Sequence, residues 1–242
     1  MKKILAVLLA MLMLCGGMAV GASAAGVDIT SKFTDPAFLA AVREEIDKPT
    51  GPIFDTDVAE VTWLNAIGRN VHSLAGLEYF VGLEQLICTS NKLTSLPKLP
   101  SSLRTLNCSF NELAMLPELP SGLVTLNCSF NKLASLPELS SCLLVLDCSD
   151  NKLTSLPELP ASLRRLHCES NQLTSIDVTG LALTQINCRY NNLANKSAVT
   201  GFTGKWDNEH FYFDPQNGAA GFSAIIWQWI LKYIFFGWLW NR

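Results

Sequence analysis

A repeat of 20 residues constrains the fold of this chain more than any other feature. Six copies read L-x-x-[LI]-x-C-x-x-N-x-L, and they begin at Leu83, Leu103, Leu123, Leu143, Leu163 and Leu183. The first four continue x-x-L-P-x-L, and a less regular copy of 22 residues, 61–82, precedes them. A unit this short buries its apolar face only by stacking on its neighbours, so the repeat predicts a solenoid.

Each copy has room for one short strand and no helix. The segment L-x-C alternates apolar and other residues, as a strand with one buried face does. A proline follows the last apolar residue of four copies and fixes an extended backbone there, at Pro97, Pro117, Pro137 and Pro157. This is the leucine-rich-repeat signature, and it predicts an α/β-class solenoid with one parallel strand per coil, an extended convex side and a helical N-terminal cap.

One asparagine recurs where each strand ends and the chain turns inward. Its short amide can satisfy backbone groups of neighbouring coils, which a buried turn requires. The sequence therefore predicts a structural asparagine ladder, formed by Asn91, Asn111, Asn131, Asn151, Asn171 and Asn191.

One cysteine recurs at the second inward position of each strand, where leucine is usual. The column comprises Cys88, Cys108, Cys128, Cys148, Cys168 and Cys188. Packed thiols are favoured over a disulfide ladder, because parallel Cβ vectors ~4.8 Å apart do not suit a disulfide. A metal or redox role is the remaining alternative, although known ligand spacings are missing. Cys142 falls outside the column and is the thiol predicted to be exposed. We expect no metal and no cofactor.

The composition of the two ends suggests five segments. Residues 1–25 are typical of a secretory signal, with Lys2, Lys3, an apolar run and small residues; a lipidated Cys15 or an uncleaved anchor are the alternatives. Residues 26–60 are predicted to form the helical cap, 61–200 the solenoid, 201–221 a C-terminal cap, and 222–242 a Trp-rich hydrophobic tail. The balance of 18 basic and 21 acidic residues, without basic runs, argues against nucleic-acid binding.

The tail has three interpretations. Residues 222–240 would reach ~28 Å as a helix, about the thickness of a membrane core, so membrane attachment is the first. A docking segment and a helix that covers the end of the solenoid are the others. Within the caps, Asp35-Pro36 predicts a helix start, Thr56 the cap of a second short helix, and residues 211–213 a terminal strand followed by a turn at Asp214-Pro215.

Three positions of each repeat, the third, fifth and seventh, are predicted to point outward on the concave sheet. The candidate contact residues are Trp63 and Ile87 at the start and Asp147, Arg165, His167, Glu169, Asn187 and Arg189 near the end. Aromatic and arginine side chains dominate the energetics of protein interfaces. The alternative is a solvated face in which Glu169 and Arg189 pair across strands.

Two chemical hypotheses concern the same region. Asp147, His167 and Ser149 are the residue types of a hydrolytic triad, but an open sheet offers no oxyanion donors, and no enzyme activity is expected. A pH-sensitive contact between Asp147 and His167 is the second hypothesis, because a carboxylate raises the pKa of a nearby histidine.

Two segments of the chain resemble known bacterial proteins. The cap and first repeats of internalin-like surface proteins are similar to the segment FTDPAFLAAVREEID and the repeats that follow it. The repeats of secreted bacterial effectors are similar to the unit LPELPSGLVTLNCSFNKL. Some of those effectors carry a ubiquitin-ligase domain. The resemblance covers roughly residues 26–215 and implies a protein-recognition module outside the cytoplasm. Its partner is an unidentified protein or glycoconjugate. A freely secreted effector is the alternative, and a thiol redox or metal protein is a distant one.

Overall fold

The structure is a computed structural model that describes residues 26–217. The N-terminal cap contains α1 (Pro36–Glu45) and α2 (Asp55–Val58). The Asp35 side chain caps α1 by accepting from two of its N–H groups, and it also accepts from the N–H groups of His72 and Ser73 in the first coil, at 2.7 and 3.1 Å. One carboxylate therefore joins the cap to the solenoid.

The prediction for Thr56 was wrong. Thr56 lies inside α2, and the cap contact is made by Asp57, whose Oδ2 accepts from the Phe54 N–H at 2.7 Å. An aspartate at the third helical position reaches back to the preceding N–H, as in a capping box.

The solenoid consists of one parallel sheet of eight short strands. Its strands, in spatial order, are β1 (Trp63–Asn65), β2 (Gln85–Ile87), β3 (Thr105–Asn107), β4 (Thr125–Asn127), β5 (Val145–Asp147), β6 (Arg165–His167), β8 (Gln185–Asn187) and β10 (Phe211–Tyr212). From β1 to β6 each pair is in register at one coil's distance. The predicted solenoid with an extended convex side is confirmed, since no helix interrupts the described coils between β2 and β8.

A second, two-stranded sheet lies on the back of the last coils and was not predicted. It pairs β7 (Ile176–Asp177) with β9 (Val199–Thr200). At β7 the sequence S-I-D-V replaces the S-L-P-x-L of earlier coils. Beside this pair, the Val178 N–H donates to the Thr200 carbonyl at 2.9 Å.

The asparagine side chains bind the backbone at every turn. Asn131 shows the pattern: its Nδ2 donates to the carbonyls of Cys108, Cys128 and Ser129 at 3.0 to 3.1 Å, and its Oδ1 accepts from the Leu113 N–H at 3.0 Å. The amide links its own coil to the preceding one, and thereby fixes the end of each strand.

Candidate functional site

The middle coils present a uniform concave face. In β3, β4 and β5 the residue at the fifth repeat position hydrogen-bonds the serine two residues later. The serine Oγ donates to Asn107 Oδ1 at 2.7 Å, to Asn127 Oδ1 at 2.7 Å and to Asp147 Oδ1 at 2.6 Å. Each serine N–H donates to the same atom. These coils therefore satisfy their own polar groups.

The seventh position was predicted to be exposed, and this was wrong for the middle coils. The three serines, Ser109, Ser129 and Ser149, are only 3 to 4% exposed. They lie on the concave side, but the short hydroxyl folds back on its own strand instead of reaching solvent. The accessible surface of these coils comes from the third and fifth positions.

The coil of β6 departs from this pattern. His167 stands in place of the asparagine or aspartate, and Glu169 stands in place of the serine. His167 Nε2 and Glu169 Oε2 are buried atoms without a hydrogen-bond partner. Both side chains are half-buried, and no ion pair joins Glu169 to Arg189 among the described residues. The predicted cross-strand pair is therefore not formed.

Arg189 is directed toward the C-terminal end instead. Its Nε donates to Asn187 Oδ1 at 3.1 Å, and its guanidinium lies 4.7 Å from the ring centroid of Tyr212 and 5.9 Å from that of Tyr190. Asn187 is only 7% exposed. The prediction that Asn187 offers a contact surface was wrong, because β10 and Arg189 cover it.

The remaining contact candidates are accessible to different degrees. Arg165 is exposed, and its side chain forms no hydrogen bond or ion pair with the described residues. Trp63 is 43% exposed at the other end of the sheet, and Ile87 beside it is half-buried. The structure thus separates an apolar start of the concave face from a charged end.

The geometry does not form the hypothetical triad. Ser149 donates its hydroxyl proton to Asp147 rather than to His167. Asp147 and His167 are cross-strand neighbours, but no hydrogen bond or ion pair joins these two described side chains. A nucleophile that faces away from its base is not activated, so the hypothesis is wrong. The hypothesis of a pH-sensitive contact between Asp147 and His167 also fails, because neither a hydrogen bond nor an ion pair joins these two described side chains.

All six column cysteines are fully buried, and the seven cysteines in residues 26–217 are free thiols. Burial raises the pKa of Cys108 and of Cys188 to about 12. Four of the column thiols donate to a carbonyl of the next strand, as Cys168 Sγ does to Asn187 O at 3.4 Å. Cys142 is exposed. The geometry is that of packed, unreactive thiols with one accessible exception.

One surface feature was missed by the sequence analysis. Phe110 and Phe130 stack at a centroid distance of 4.2 Å, and both adopt positive φ, 53° and 52°. Left-handed backbone is uncommon for a bulky residue. Phenylalanine at the eighth repeat position of two consecutive coils, against serine or aspartate in neighbouring ones, was the available signal.

Residues 26–217 contain neither a metal-binding cluster nor a membrane-spanning helix. No group of three or more His, Cys, Asp or Glu side chains could hold a metal ion there. No helix in this part of the chain is long and apolar enough to cross a membrane. The predicted signal, 1–25, and the tail, 222–242, lie outside the described residues.

No protein-family model and no curated protein matches the chain. Among solved structures, the functional domain of InlJ from Listeria monocytogenes has 28% identity and a TM-score of 0.67, over 80% of this chain and 44% of that chain. The chain has a leucine-rich-repeat fold similar to that of this internalin. That InlJ domain includes a cysteine ladder, and this chain has a cysteine column of its own.

Two other structures extend the comparison. YopM from Yersinia pestis has 34% identity and a TM-score of 0.56, over 64% of this chain and 41% of that chain. Internalin C2 from L. monocytogenes, at 18% identity and a TM-score of 0.51, shares the fold over 80% of this chain and 97% of that chain. The internalin-like chain described here spans less than half the length of the InlJ and YopM chains.

Proposed function

We propose that this leucine-rich-repeat protein is an extracytoplasmic protein-interaction module that binds its partner on the concave face, at the Asp147–Arg189 end. Solenoids of this kind present an extended concave surface for binding. The main support for this proposal is the exposure of Arg165, a residue of the sheet whose side chain has no partner among the described residues. Exposed arginines and aromatic side chains provide most hot spots at protein interfaces. The apolar Trp63 and Ile87 form a secondary contact region.

Site-specific photocrosslinking tests this proposal. A photoreactive amino acid replaces Arg165 on the concave face or, as the control, Glu158 on the convex side, which is also exposed. Each protein is incubated with intact cells and with secreted proteins. We expect a discrete crosslinked product only from position 165. Crosslinking from position 158 alone, or equal products from both, would contradict binding by the concave face.

The location of the protein is part of the same proposal. The signal-like segment 1–25 supports export, and the Trp-rich composition of residues 222–242 supports membrane attachment. Intact chain and a chain truncated after Asn217 are compared in membranes washed at high pH. Retention of the intact form alone supports an anchored surface protein. If both forms are recovered in the supernatant, the freely secreted alternative replaces it.

A further inference from the structure

The strongest unassigned feature of this molecule is the broken hydrogen-bond pair in the β6 coil. Three coils provide an internal reference, because β3, β4 and β5 pair the fifth and seventh positions. At β8 the same two positions are also hydrogen-bonded, through Arg189 Nε and Asn187 Oδ1. Only the β6 coil places two titratable side chains there, and only there do buried polar atoms of the described residues lack a partner.

This exception has no benefit for folding. A buried polar atom without a partner costs the desolvation of that group. Serine and asparagine at these positions would remove the cost, as the neighbouring coils demonstrate. The orphaned atoms belong to an imidazole and a carboxyl. A carboxyl gains a hydrogen-bond donor when it binds a proton.

Burial favours a protonated Glu169 carboxyl. Burial raises the pKa of Glu169 to about 7, and the carboxylates of Asp147 and Asp150 raise it further. A backbone hydrogen bond and the positive charge of Arg189 lower this pKa. Arg165 lies at the start of β6, four residues before Glu169. The thiols of Cys148, Cys168 and Cys188 lie on the core side of the sheet, where burial keeps them neutral.

We propose that Glu169, two residues after His167 and like it left with an unpaired buried atom, is a proton-sensitive element that sets the charge and hydrogen-bonding capacity of the concave contact surface. In mildly acidic solution the Glu169 carboxyl is neutral and can donate a hydrogen bond. In mildly alkaline solution the carboxylate adds a negative charge beside Asp147. This regulation rests on the proposed function of the concave face, and it makes partner affinity depend on pH with a midpoint near neutrality.

A carboxyl titration of the full chain tests the element without a partner. Side-chain ¹³C resonances are followed by NMR from pH 4 to pH 9 in the wild type and in the double variant H167N/E169S. This variant reproduces the pair of the middle coils, so it is expected to fold. We expect one wild-type carboxyl with a midpoint within about one unit of pH 7, absent from the variant.

Two further variants keep the test decisive. E169Q keeps the shape of the side chain and must also abolish the near-neutral transition, whereas E158Q on the convex side must leave it in place. The proposal is overturned if every carboxyl of the wild type titrates below about pH 5.5. Because no partner is present, this result is independent of the photocrosslinking result. A failed titration would leave the proposal of concave-face binding untouched. Likewise, a failed crosslinking experiment would not change the titration result.

Discussion

The middle coils and the β6 coil share one backbone and differ in what their concave side chains do. In β3 to β5, asparagine or aspartate accepts from a buried serine, and each strand satisfies itself. In the β6 coil, His167 and Glu169 leave two buried atoms unpaired, next to the exposed Arg165. Buried polar groups in native proteins are nearly always hydrogen-bonded. The middle coils thus satisfy their own polar groups, whereas the β6 coil leaves polar atoms unpaired, and for this reason we propose it as the contact region.

We expect the largest difference between the core and the surface of the coils in the reactivity of their thiols. We expect Cys142 to react with a thiol reagent in the native protein, while the six column thiols react only after global unfolding, because they are buried and remain protonated. A C142A variant should abolish the native reaction. Rapid native labelling of column cysteines would instead support the thiol redox alternative.

The asparagine ladder should show the largest effect of a single substitution on stability. Replacing Asn131 with alanine removes four hydrogen bonds to buried backbone groups. We expect a loss of about 3–5 kcal/mol in the free energy of unfolding, since each unsatisfied buried group costs about 1–3 kcal/mol and effects in one network are not additive. Chemical denaturation measures it, with the exposed convex Lys152→Ala as control. A loss no larger than the control's would refute a structural ladder.

A pH series should distinguish the β6 coil from its neighbours. The pKa of Glu169 is raised on folding, so its stabilising contribution is complete below the unfolded pKa and is lost as pH rises through about 7. We expect the free energy of unfolding to fall from pH 6 to pH 8 by roughly 1 kcal/mol more in the wild type than in E169Q. Parallel pH curves would show that Glu169 does not titrate in this range.

The exposed charges of the middle coils should matter least. Glu112 and Lys132 form an ion pair at 2.7 Å, and both side chains are about half exposed. Exposed pairs are screened and cost side-chain entropy. We expect Lys132→Met to leave the midpoint of chemical denaturation unchanged within error. A clear shift would mean that surface charge contributes to the stability of the stack.

The regular part of the structure could be predicted because one period repeats six times. The Leu-x-Cys alternation placed the strands, and the proline placed the extended convex side. The exposure of the seventh position was not predictable from alternation alone, because Ser109 has a local partner in Asn107 that competes with solvent. The coverage of Asn187 depends on β10, which arrives from a distant, irregular segment. The phenylalanine stack depends on a left-handed backbone that the repeat consensus does not reveal.

We expect His167 and Glu169 to cost stability that the middle coils retain. The most direct test is the free energy of unfolding of H167N/E169S and of the wild type at pH 8, where Glu169 is mainly charged. We expect the double variant to be more stable by about 1–3 kcal/mol, because a self-satisfied pair replaces two orphaned atoms. A double variant of equal or lower stability would contradict it, and the β6 coil would then be an ordinary part of the stack.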